Sequence, residues 1–88
     1  MKPKGEVPGN RDHLDGKYSN YFEIGHNAFE FLLDFGQISP DGEDVKFHNR
    51  IIVNPSYAKA LLGILQDSIL RYEEEFEAIP EIAGINIQ

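Results

Sequence analysis

The sequence predicts an α+β fold in which a three-stranded antiparallel meander is followed by one long helix packed on the sheet (β-β-β-α). Three observations carry that expectation. Apolar residues alternate through two segments between Tyr18 and Phe35, alternate again from Val45 to Val53, and beyond Asn54-Pro55 recur at helical spacing as far as Phe76.

In the first strand Tyr18, Asn20, Phe22 and Ile24 share one parity, and Ser19, Tyr21, Glu23 and Gly25 the other. Gly25-His26-Asn27-Ala28 then supplies turn chemistry, because Gly and Asn both tolerate positive φ. The second strand sets Phe29, Phe31, Leu33 and Phe35 against Glu30, Leu32 and Asp34, and so apolar a face places it at the centre of the sheet. Gln37 to Asp44 is a polar loop whose Pro40-Asp41-Gly42 marks a turn. The third strand, Val45 to Val53, is read with Val45, Phe47, Ile51 and Val53 inward around Asn49, and with Lys46, His48, Arg50 and Ile52 outward. Short connections favour antiparallel neighbours.

Asn54 can cap a helix and Pro55 can occupy its first position, where the missing N–H costs nothing. The helix is predicted from Pro55 to about Glu77. Ala58, Leu61, Leu62, Leu65, Ile69, Tyr72 and Phe76 fall within a band about 100° wide, the face expected on the sheet. Ile79-Pro80 ends it. The chain thus divides into a polar arm (1–17), a single domain (18–79) and an apolar tail (80–88), in which Ile85 and Ile87 share a parity suited to an added strand or to a neighbouring subunit.

The chain has 88 residues, no cysteine and a formal charge of −7. A domain this short buries only about 60% of the surface its unfolded chain exposes, and the usual additions are disulfides, metals or a second subunit. Without cysteine, disulfides and thiolate metal sites are excluded, so association is the expected addition. The acidic balance disfavours nucleic acid and anionic membranes as partners. No apolar run has membrane-spanning length and the N-terminus lacks the apolar core of a signal peptide, so a cytoplasmic protein is expected.

Two surfaces are candidates for contact. On the side of the helix opposite the core band lie Ala60, Gly63 and Leu70, and a helix-interior glycine is easier to understand where a second backbone comes close. On the outer sheet face Tyr21, Leu32 and Ile52 interrupt a polar surface and, if the register brings them together, form an apolar patch that needs a cover. In both places scattered exposed apolar residues are the plainer alternative. The run Glu73-Glu74-Glu75 with Glu77 reads as a solvated face or as a docking site for a basic partner.

Signals for chemistry are sparse. His13, His26 and His48 have no ligand spacing, and Asp41, Glu43 and Asp44 lack the pattern of a calcium loop. Ser19, Ser56 and Ser68 sit in no nucleophile elbow, and Glu30 and Asp34 would project into solvent. Lys46, His48 and Arg50 make a short basic ridge, for which pairing with Glu30 and Asp34 is the economical account. No cofactor, metal or catalytic residue is expected.

The segments YSNYFEIGHNAFEFLLDFGQ and RIIVNPSYAKALLGILQDSILRYEEEF resemble a family of short prokaryotic proteins, family 3467 of the domains of unknown function. Tyr18-Ser19-Asn20, the Glu30-Phe31 to Asp34-Phe35 strand, Arg50, Pro55 with Ala58-Lys59, Leu61-Leu62 and Tyr72-Glu73 carry the resemblance over residues 18–79. Members usually show Phe-Gly-x-Ile after the helix, where this chain has Phe76-Glu77. The resemblance implies no activity. In outline the meander and helix on an acidic chain are also similar to the export chaperone SecB, a likeness of architecture alone. The function read from the sequence is a non-enzymatic structural or interaction module, a homodimer first among homo-oligomers or else bound to another protein. A SecB-like holdase or adaptor is one alternative, and a small-molecule or nucleic-acid binder another.

Overall fold

The computed structural model describes residues 9–82. Its elements are β1 (Tyr21–His26), β2 (Phe31–Ile38), β3 (Val45–Val53) and α1 (Pro55–Glu75), with the strands in the order β1-β2-β3 and both pairings antiparallel. The predicted α+β order of three strands and one helix is therefore the fold. Ile85, Ile87 and any added C-terminal strand lie outside the described residues.

The connections explain where each strand begins. Tyr18–Asn20 precede β1 rather than opening it. Asn20 joins the ladder partly through its side chain: its backbone N–H donates to the Gly36 carbonyl at 3.1 Å, and its Oδ1 accepts the Ile38 N–H at 2.8 Å. The Ser19 hydroxyl donates to the same Gly36 carbonyl at 2.8 Å. Asn27 closes the first turn by accepting the N–H groups of Phe29 and Glu30 at 2.8 and 3.0 Å, so β2 starts only at Phe31. Phe29, expected on the inward face of β2, is 81% exposed in that turn. In the second connection Gly42 takes φ +77 and donates its N–H to the Ser39 carbonyl. Only glycine adopts that conformation without cost.

A β-bulge corrects the expected facing of β3. Phe35 pairs with Asn49 but Gly36 pairs with Phe47, which leaves His48 as the extra residue. Because side chains alternate with period two, one inserted residue inverts every side chain beyond it. Ile51 and Val53 share the face of Phe31, Leu33 and Phe35, as expected, whereas Phe47 and Val45 turn to the opposite face. Tyr21, paired with Gly36, meets Phe47 there with ring centroids 5.8 Å apart. Gly36 is required at this point, since a Cβ on it would sit 2.5 Å from the Lys46 carbonyl oxygen.

The helix begins as predicted. Asn54 is the N-cap, accepting the Tyr57 N–H at 2.8 Å, and Pro55 follows it. It ends at Glu75, two residues before the expected Glu77, because the chain turns at Phe76 and the Ile79 N–H donates to the Glu73 carboxylate at 2.7 Å. Packing is where the expectation and the structure part. Leu33, 8% exposed, is the one buried apolar side chain among the described residues, and no helix residue is buried. The band meant for the sheet stays open to solvent from Leu61 to Phe76, with Leu65 54% exposed.

Candidate interaction surface

The first sheet face is built from three cross-strand rows. Phe22 lies opposite Phe35, with their rings edge to face at 5.9 Å. Ile24, Leu33 and Ile51 form the second row, and His26, Phe31 and Val53 the third, where the His26 and Phe31 rings stack at 5.3 Å. Strand alternation directs this apolar set to one side, where its centre, Leu33, is buried and Phe31, Phe35 and Val53 are half-buried. Ile24 is 67% exposed, and Phe22 and Ile51 are about as open as the helix band. A face of this composition in contact with water is unusual for an isolated monomer.

The second sheet face is divided. Leu32 pairs directly with Ile52, as the sequence suggested, but Tyr21 lies four residues away along β2. Between them runs the charged row Glu23, Asp34, Arg50. Arg50 grips Asp34 bidentately, Nε to Oδ1 at 2.7 Å and Nη2 to Oδ2 at 2.9 Å. That hydrogen-bonded guanidinium holds the Asp34 carboxyl below its ordinary value, and Asp34 in turn raises the Arg50 guanidinium. The Tyr21 hydroxyl donates to Glu23 Oε2 at 2.9 Å, which pushes the phenol upward. The trio Tyr21, Leu32 and Ile52 is therefore two small clusters rather than one patch, and Tyr21 has Phe47 as its apolar neighbour. Phe47 was missed because the bulge is invisible to simple alternation. Gly36, a glycine inside an apolar strand, was the available signal.

The basic ridge also dissolves. Lys46 pairs with Gln37, on the opposite side from Arg50, while His48 sits in the bulge with its ring bonded to Asn49 and, at 3.2 Å, to the Tyr18 carbonyl. On the helix, Ala60, Gly63 and Leu70 are exposed on the side away from the Leu65 band, and a Cβ on Gly63 would meet nothing within 4 Å. Glu73 has a local task, since it is half-buried and holds the returning chain at Ile79.

Among the described residues no three His, Asp or Glu side chains gather closely enough for a metal ion. The concavities are open grooves, one along Asn20, Ile38 and Val45 and another beside Asp34, His48 and Arg50. No described helix is long and apolar enough to cross a membrane. The arrangement offers uncovered apolar faces and well-paired polar groups.

The family model described as "protein of unknown function (DUF3467)" matches residues 3–81. The chain belongs to this family. No curated protein and no solved structure matches it. Within this DUF3467 chain, several residues that carry the family resemblance have local structural tasks. Ser19 and Asn20 tie the approach of β1 to β2, Asp34 and Arg50 bridge two strands, Pro55 opens the helix and Glu73 anchors the chain beyond it.

Proposed function

We propose that this DUF3467 protein is a non-enzymatic, self-associating interaction module of the cytoplasm, with the homodimer as its basic unit. One observation carries the reading: three strands and a 21-residue helix leave a single apolar side chain buried. Most of a helix's stability in a protein comes from packing its amphipathic face, and an apolar sheet face left in water gains nothing from burial. Each aliphatic or aromatic side chain moved from exposure to full burial contributes about 1.5–3 kcal/mol. With no disulfide in the chain, a second subunit is the plainest source of that burial.

Self-association predicts that the urea midpoint, followed by helix circular dichroism, rises with protein concentration. A midpoint independent of concentration contradicts it. The same open apolar surface favours a second reading, a SecB-like holdase that captures unfolded chains. A holdase binds a hydrophobic dye in its native, assembled state, whereas a closed dimer does not.

A further inference from the structure

Two apolar surfaces among the described residues stay uncovered. One is a plane, the sheet face of Phe22, Ile24, Leu33, Phe35 and Ile51; the other is a stripe, the helix band centred on Leu65. The three apolar rows span Phe31 to Phe35 along β2, roughly 17 Å, and a 21-residue helix of roughly 31 Å is long enough to cross them all. We propose that association takes the form of reciprocal helix exchange: α1 of one copy lies across the apolar sheet face of a second copy, which returns the same contact. This deepens the self-association reading and rests on it.

Three features favour a second copy in this arrangement. Reciprocal exchange covers both surfaces at once and closes on a two-fold axis, whereas pairing helix to helix would leave both sheet faces wet. The connection from strand to helix is the single residue Asn54, held by its cap bond to Tyr57 and followed by the fixed φ of Pro55. A connection so short directs the helix outward and discourages a return onto its own sheet, the circumstance in which an element is exchanged between copies. Apolar surface is also still open on the two faces. Ile24 on the sheet and Leu62, Leu65 and Phe76 on the helix are each more than half exposed, and a stable specific interface needs about 800 Å² from each partner.

The absence of native cysteine allows a direct test. Ile24→Cys places a thiol on the sheet face and Leu65→Cys places one on the helix band. The two variants are mixed at equal concentration, allowed to exchange subunits and treated with a short bis-maleimide. Exchange predicts a covalent dimer in the mixture that neither variant forms alone. Crosslinking of Leu65→Cys to itself overturns the proposal in favour of helix-to-helix pairing. A chain carrying both substitutions that crosslinks only within itself overturns it in favour of a helix folded on its own sheet.

Should either variant fail to fold, isotope-filtered nuclear Overhauser spectra on wild-type protein, half of it labelled, read the same contact. Cross-peaks from Leu65 methyls to Phe22 or Phe35 rings between labelled and unlabelled chains are expected. Their presence only within one chain overturns the exchange. The two levels of failure separate cleanly. A wild type of one-chain mass at every concentration defeats self-association itself, whereas a two-chain wild type without the sheet-to-helix contact defeats only the exchange.

Discussion

In β2, two of eight residues are buried and five are half-buried; in α1, none of 21 is buried and only Ala58 and Glu73 are half-buried. Both segments are rich in leucine, isoleucine and aromatics, so composition does not separate them. Neighbours do. The strand receives β1 and β3 on its two edges, while among the described residues nothing buries the helix band. The described residues thus hold a sheet that is largely ordered by its own strands and a helix whose apolar band they leave open, the contrast on which the proposed self-association rests.

Substitution at the centre of the helix band should break the comparison most severely. In a lone chain Leu65→Asp alters an exposed position and costs no more than about 0.5 kcal/mol. In an assembly that buries the band it inserts a charge into an apolar contact, and a loss above about 3 kcal/mol is expected, with dissociation visible in the mass and in helix content. Next in size is Gly36→Ala, where the new methyl meets the Lys46 carbonyl oxygen at 2.5 Å. Displacing that backbone should cost about 2–3 kcal/mol in chemical denaturation. Because the clash lies within one chain, the loss persists at any protein concentration.

These two positions also show how far the sequence could be read. Period-two and period-3.6 spacing gave the strands and the helix, and Asn54-Pro55 gave the helix start to the residue, because local sterics and capping fix those features. The facing of Val45 and Phe47 was illegible. One extra residue at His48 inverts them, and strand pattern alone does not record register. The helix band was readable as apolar, yet its expected cover, the sheet of the same chain, is not what the fold supplies. Amphipathicity reports that a face wants burial and is silent on whose surface provides it. The same limit applied to Tyr21, Leu32 and Ile52: their outward direction was legible, but the charged row that separates Tyr21 from the other two depends on pairing.

Smaller changes sharpen the contrast. Asn54→Ala removes the acceptor for the Tyr57 N–H and should cost about 1 kcal/mol in thermal or urea unfolding. Gly63→Ala should stabilise by about 0.5–1 kcal/mol, since alanine is the better helix former and its methyl meets nothing within 4 Å. A loss there that grows on dilution would instead assign the outer helix face of Ala60, Gly63 and Leu70 to a contact between copies.

The smallest effect concerns pH. The native Asp34 carboxyl is held below its unfolded value by the hydrogen bond from Arg50, so its contribution is complete above the unfolded carboxylate pKa of about 3.9. It is lost as pH falls through the lower native value. Asp41, lowered by the Ser39 hydroxyl and the Glu43 N–H, titrates in the same direction. Asp34→Asn should therefore reduce the slope of stability against pH below about pH 4 without abolishing it. An unchanged slope would show that the Arg50 bridge does not persist in solution.

The central claim is that a second copy completes this fold, and sedimentation equilibrium of the wild-type chain over a dilution series, with helix circular dichroism read on the same samples, tests it most directly. The account predicts a mass of about 20 kDa, twice the 10.0 kDa chain, with mass and helix signal falling together as the protein is diluted. A mass of 10.0 kDa with full helix signal at every concentration would contradict it.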